Sequence, residues 1–153
     1  MNTAYWKSPL GMIEIIEKDN FIIRLDFSQQ NKESTDVQSP VLIKTIKQLS
    51  EYFNQTRQIF DIPLKPIGTD FQLRVWKELQ NIPYGETRSY QDIAQNIHNA
   101  KACRAVGMAN NRNHIAIIIP CHRVIGKNGA LTGYASGLNI KEALLKLEKS
   151  FYK

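Results

Sequence analysis

The polarity pattern divides this chain into a strand-rich start and a helical remainder. Tyr5 and Trp6 lie in a strand that ends at the turn signal Ser8-Pro9-Leu10-Gly11. Residues 12–17 and 21–27 read as two more strands joined by Lys18-Asp19-Asn20, and the polar stretch 29–38 as a loop. Ser39-Pro40 is an N-cap followed by proline at the first helical position. Val41, Leu42, Thr45, Ile46, Leu49 and Phe53 then recur at helical spacing. Pro63 and Pro66-Ile67-Gly68 punctuate a linker.

Beyond the linker the period is helical. Thr69-Asp70-Phe71-Gln72 fits a capping box, with Phe71, Val75, Trp76 and Leu79 as one apolar face and Pro83-Tyr84-Gly85 as the stop. Ser89-Tyr90-Gln91-Asp92 caps a short helix carrying Ile93, Ala94 and Ile97. After Asn99-Ala100 a third helix is expected from Lys101 to about Asn110. Two short helices joined by a tight turn make a helix-turn-helix pattern. In the second of them Ala102, Ala105, Gly107 and Ala109 keep the helix narrow while Arg104 projects. Such a helix can enter a groove with one long probe; the same small residues also suit tight helix–helix packing. The last helix is expected to start at Asn139, with Glu142 completing a capping box, and to face the core with Ile140, Ala143, Leu144, Leu145 and Leu147. Glu148 falls inside that apolar arc. It is either a carboxylate in need of a buried partner or a solvated residue of a frayed last turn.

Charge sharpens this division. Of the 153 residues, positions 1–68 hold eight basic and eight acidic side chains, so the whole net charge of +6 belongs to positions 69–153. No Asp or Glu occurs from Ile93 through Lys141, a window holding Lys101, Arg104, Arg112, Arg123, Lys127 and Lys141. Such a face suits phosphates, or is a merely solvated basic surface. Composition is that of an ordinary globular protein, with 42% hydrophobic and 22% charged residues. Two domains are expected, 1–67 and 68–153. No apolar stretch reaches membrane-spanning length, and residues 1–7 show no apolar signal core, which points to a cytoplasmic protein. Cys103 and Cys121 are then expected as reduced thiols, and two cysteines without neighbouring ligands argue against a structural metal.

Within the basic window, the apolar run Ile115-Ala116-Ile117-Ile118-Ile119-Pro120 leads into Cys121, followed by His122 and Arg123. A thiol reacts as thiolate, and imidazole and cationic neighbours promote that form. A core cysteine at a strand end is the plainer alternative. Cys121 as nucleophile, His122 as base and Glu148 as the group that orients His122 would make one site. On a regular strand Cys121 and His122 point to opposite faces, so either the chain bends after Pro120 or a water relays the proton; the water is favoured.

The segments IPCHRV, SYQDIA, RAVG and GLNIKEALL resemble, in order and spacing, the O6-alkylguanine-DNA alkyltransferases, over nearly all of residues 70–153. The resemblance implies an α+β fold: a ribonuclease-H-like structural domain, then a mainly helical winged helix-turn-helix domain that binds the minor groove of double-stranded DNA. The alkyl group of O6-alkylguanine, and of O4-alkylthymine, would pass irreversibly to Cys121 after the nucleotide is flipped out. His122 and Glu148 would form a relay to the thiol, Arg104 would replace the flipped base in the stack, and Tyr90 would rotate the phosphate and protonate the departing guanine. Asn113 would tie the helix to the active-site segment. Ala102, Ala105 and Arg112 would meet DNA, and Val124, Ala135 and Arg123 would line the guanine pocket, with the Ala135 amide donating to O6. The implied protein is monomeric, uses no cofactor or metal, has no membrane partner, and would be nuclear in a eukaryote. Departures from the family pattern are Ala116, Ala135 and Ser136, which stand where some relatives have proline, serine and glycine. A lesion sensor with a structural Cys121 and a cysteine hydrolase are the competing readings; the second lacks an evident oxyanion hole.

Overall fold

Three antiparallel strands open the chain: β1 (Asn2–Ser8), β2 (Gly11–Lys18) and β3 (Phe21–Phe27), in the order β1-β2-β3. The structure is a computed structural model and describes residues 1–30, 32 and 39–150. Most of the loop expected over 29–38 lies outside the described residues. Ile13, Ile15, Ile22 and Leu25 are fully buried on the sheet. Helix α1 (Pro40–Phe53) carries Leu42, Leu49 and Tyr52, also fully buried. Proline stands at its start as expected, but Ser39 makes no side-chain capping bond, and its buried Oγ has no partner among the described residues. These elements belong to one compact unit, Met1–Ile67; the second is Gly68–Lys153.

The second unit contains α2 (Asp70–Leu79), α3 (Tyr90–Asn96), α4 (Cys103–Asn111) and α5 (Leu138–Ser150), with a two-residue parallel pair, β4 (Arg88–Ser89) and β5 (Val124–Ile125). The capping box expected of Thr69 with Gln72 forms, and the cap expected at Ser89 is a full box with Asp92. Helix α2 stops at Leu79, short of the Pro83 signal, and its end tightens through Ile82 N–H to Leu79 C=O, 3.1 Å. Trp76 Nε1 donates to the Ala109 carbonyl at 2.8 Å, pinning α4 on α2.

Three boundaries differ from expectation. Helix α4 starts at Cys103, not Lys101, because residues 99–102 complete the turn, where Ala102 N–H bonds the Asn99 carbonyl. Helix α5 starts at Leu138, so Asn139 lies within its first turn and does not cap it; Gly137, at φ +105, supplies the backbone reversal. The apolar run 115–120 is not a strand. Ile118 N–H bonds the Ala116 carbonyl and Ile119 N–H the Ile115 carbonyl, with Ile117 at φ +70. The overall class is α+β. No helix among the described residues is long and apolar enough to cross a membrane.

Candidate active site

The coil of residues 115–120 delivers Cys121 into a single 3₁₀ turn, Cys121–Arg123, after Pro120 at ψ 63. The chain therefore bends where a strand would have set Cys121 and His122 on opposite faces. Both are buried, Cys121 at 4% exposure and His122 at 0%. Strand β5 follows at once and pairs Val124 with Arg88, so the backbone registers the start of α3, and with it Tyr90, against the Cys121 segment.

Two asparagines grip this segment, Asn110 in the last turn of α4 and Asn113 just past its end. Asn113 Nδ2 donates to the Ile115 and Ile119 carbonyls at 3.2 and 2.9 Å and to Cys121 Sγ at 3.2 Å, while its Oδ1 accepts from Ile115 N–H. Asn110 Nδ2 donates to the Cys121 carbonyl at 3.3 Å.

Glu148 is buried, not frayed into solvent. Its Oε2 lies 2.6 Å from His122 Nε2 and 3.1 Å from Arg123 Nη2; its Oε1 accepts from Arg123 Nε at 2.8 Å and Gly85 N–H at 3.2 Å. Burial alone would raise its pKa, but His122 and then Arg123 hold it well below the usual carboxylate range. An ionised carboxylate at Nε2 requires the proton on that nitrogen, so Nδ1 of a neutral ring keeps its lone pair. Nδ1 is buried and has no hydrogen-bond partner among the described residues. Desolvation lowers the His122 pKa against the pull of Glu148, which favours the neutral ring. Arg123, expected at the guanine pocket, also donates to the Ile82 carbonyl at 2.8 Å and lies over the Tyr84 ring, 5.6 Å from its centroid.

One participant escaped the sequence reading except as a member of the basic window. Lys141 is fully buried, with Nζ 2.6 Å from the Val124 carbonyl and 2.7 Å from that of Thr132. Its signal was present: Lys141, Leu144 and Glu148 share the spacing of one helical face. Burial lowers its pKa to about 8, with the charge of an ionised Cys121 working the other way. Burial pushes the thiol itself up to about 11, against the Asn113 donor and the Lys141 charge, both of which favour thiolate. The closed site therefore stores a neutral thiol beside groups that stabilise its ionised form.

The remaining expected residues lie around this centre. The Tyr90 hydroxyl donates to the Thr132 carbonyl at 3.1 Å and accepts from Thr132 Oγ1 at 3.0 Å. Arg104, Ala105 and Arg112 are exposed and Ala102 is half-buried; Ala135 is exposed and Val124 buried. The small residues of α4 divide their work: Ala109 is buried, and a Cβ on Gly107 would come within 3.8 Å of the Tyr90 ring, whereas Ala105 faces outward. Among the described residues no group of three or more His, Cys, Asp or Glu side chains is placed to hold a metal.

A desolvated thiol held by an amide, an ammonium nearby and an oriented neutral imidazole is equipment for nucleophilic attack by sulfur. Family models separate the possibilities that this leaves. Residues 70–150 match the DNA-binding domain of 6-O-methylguanine DNA methyltransferase, and residues 1–66 match the ribonuclease-like domain of the same protein. A methylated-DNA–protein-cysteine methyltransferase of Methanosarcina acetivorans is 51% identical, covering 98% of this chain and 99% of its own. A constitutive counterpart in Bacillus subtilis is 48% identical over 96% and 94%. Among solved structures, the O6-methylguanine methyltransferase of Mycobacterium tuberculosis is 45% identical with a TM-score of 0.89, over 97% of this chain and 92% of that one. OGT of the same organism, solved in complex with DNA, gives a TM-score of 0.91. The chain belongs to the 6-O-methylguanine DNA methyltransferase family.

Proposed function

We propose that this chain repairs DNA by direct reversal, moving the alkyl group of O6-alkylguanine in duplex DNA onto its own Cys121, once per molecule. The observation that carries the reading is the buried Cys121 thiol, bonded to Asn113 and followed by a His122–Glu148 pair that leaves His122 Nδ1 as an acceptor. Sulfur attacks the alkyl carbon in line; the C–S bond forms as the C–O6 bond breaks. The thiol proton passes through a water to His122 Nδ1, and the Tyr90 hydroxyl protonates the guanine that leaves. Tyr90 must first release Thr132. The thioether is not hydrolysed, so no turnover follows, and the chemistry needs no cofactor.

The second unit acts as a winged helix-turn-helix, with α3 and α4 as the helix pair and the segment after β5 as the wing, on the minor groove. Arg104 fills the stack when the nucleotide is flipped out, Ala102, Ala105 and Arg112 face the DNA, and Asn113 joins α4 to the acceptor segment. Val124, Ala135 and Arg123 bound the guanine site, Arg123 through its hold on Glu148. The first unit is a ribonuclease-H-like support. The protein works as a monomer in the cytoplasm, and O4-alkylthymine is a second substrate. Incubation with duplex DNA carrying O6-methylguanine, followed by intact mass measurement, tests the reading. One added methyl mapping to Cys121 is expected; binding with unchanged mass would mean a lesion sensor instead.

A further inference from the structure

The Tyr90 hydroxyl makes two bonds to one residue of the loop between β5 and α5. It donates to the Thr132 carbonyl at 3.1 Å and lies 3.0 Å from Thr132 Oγ1. A carbonyl only accepts, so the phenol's single hydrogen is spent there, and Thr132 Oγ1 is the donor in the second bond. Thr132 is exposed, yet its backbone is held in place. Its carbonyl also accepts from Nζ of the buried Lys141 on α5 at 2.7 Å, and Gly133, at φ +45, turns the chain directly after it. On the other side, Gly107 of α4 leaves room for the Tyr90 ring; a Cβ there would stand 3.8 Å from it. Ring and hydroxyl are thus set between α4 and a loop anchored on α5.

We propose that Thr132 is a positioning residue for the acid: its hydroxyl holds the Tyr90 oxygen and stabilises the negative charge left there when Tyr90 gives its proton to the departing guanine. The inference rests on the repair reading above and deepens it. As the C–S bond forms, the C–O6 bonding pair stays with the guanine, and the Tyr90 proton moves to a ring nitrogen. The phenolate keeps the Thr132 hydrogen bond, and a hydrogen bond to an ionised oxygen is about twice as strong as one to a neutral oxygen. The bond therefore strengthens as the proton leaves, which is the condition for lowering a barrier. Afterwards the phenolate takes a proton from solvent, and His122 gives one up. The donation to the Thr132 carbonyl is what Tyr90 releases, and the release leaves no orphan, because that carbonyl retains Lys141. Duplex DNA seated on this face excludes the water that competes for the exposed pair, which strengthens the remaining bond in the complex.

The test measures single-turnover methyl transfer by the full chain from duplex DNA carrying O6-methylguanine, at saturating protein and across a concentration series. Thr132→Val, similar in shape without the hydroxyl, should slow transfer at saturation by about fivefold and leave the half-saturating concentration unchanged. Thr132→Ser, which restores the donor, should stay within about twofold of the parent. In a Tyr90→Phe background, where transfer is slower from the outset, Thr132→Val should change nothing further, since the oxygen it serves is gone. With the parent active, three results would overturn the assignment: transfer by Thr132→Val at the parental rate, an equally slow Thr132→Ser, or the same loss from Thr132→Val in the Tyr90→Phe background. Absence of transfer by the parent would overturn the repair reading, and this assignment with it.

Discussion

Among the described residues of the first unit, every buried polar side chain but Ser39 fastens backbone or another side chain of that unit. Glu17 accepts from Asn2 at 2.7 Å and from Asn20 N–H at 3.1 Å, Ser8 closes its turn on the Gly11 carbonyl, Thr45 bonds back to Val41, and Gln48 holds Asp61 N–H. Among the described residues of the second unit, six buried polar side chains (Asn110, Asn113, His122, Arg123, Lys141 and Glu148) come from α4 and the residues just past its end, the 3₁₀ turn and α5, and all contact or belong to residues 121–124. The first pattern stabilises a fold by local satisfaction. The second accepts the desolvation of several charges at one place, which apolar residues would have stabilised as well or better. Convergence on one segment, more than burial itself, therefore marks the site.

The comparison breaks first at its focus. Cys121→Ala should abolish alkyl transfer while leaving binding to duplex DNA and the thermal stability of the protein nearly intact, because a small buried thiol is replaced by a methyl. Intact mass after exposure to O6-methylguanine DNA measures the first, and retained methyl uptake would remove Cys121 as acceptor. No change in the first unit should approach this loss of activity.

Glu148→Gln comes next. It removes the charge that compensates buried Arg123 and fixes the His122 tautomer, and should cost about 3 kcal/mol of stability together with most of the transfer rate. The folded pKa of Glu148 lies below its unfolded value. Its stabilising contribution is therefore complete above the ordinary carboxylate pKa of about 4.3, and is lost progressively as pH falls below that toward the folded value. Chemical denaturation at several pH values should show the parent losing stability over that acid range more steeply than Glu148→Gln. Equal slopes would show that the carboxylate is not held ionised by its neighbours.

These two residues also mark how far the sequence could be read. The Cys121–His122 dipeptide and the misplaced Glu148 were visible because one depends on residue chemistry and the other on helical period. The three strands of the first unit, the helices, the capping box of α2 and the Ser89 cap of α3 followed from the same local rules, whereas the box expected of Asn139 with Glu142 did not form. What was not visible depended on tertiary approach. Lys141 is a charged residue whose burial is decided by the carbonyls of Val124 and Thr132, nine and more positions away. Asn110 looks like any polar residue near a helix end until its partner on Cys121 is known. The run 115–120 misled because apolar content marks burial and does not distinguish a strand from a buried coil.

Arg104→Ala probes the outer side of the second unit, where side chains are exposed and no buried network responds. It should slow transfer from duplex DNA by about tenfold, near 1.4 kcal/mol, yet leave melting temperature and reaction with the free base O6-methylguanine unchanged. Equal slowing on both substrates would place Arg104 in the Cys121 site and not at the nucleic-acid stack.

The smallest effects compare the units through their helix starts. Thr69 and Ser39 occupy the same position relative to α2 and α1, but only Thr69 bonds its helix, through Gln72 N–H at 3.1 Å. Thr69→Ala should therefore cost about 1 kcal/mol. Ser39→Ala deletes a buried hydroxyl that has no partner among the described residues, so its desolvation cost disappears with it and stability should stay within about 0.5 kcal/mol of the parent or rise. Urea denaturation of the two variants measures the difference. A loss at Ser39 as large as that at Thr69 would show that its hydroxyl holds α1 through a bond to the chain before it, and the local satisfaction that characterises the first unit would then extend to this helix start as well.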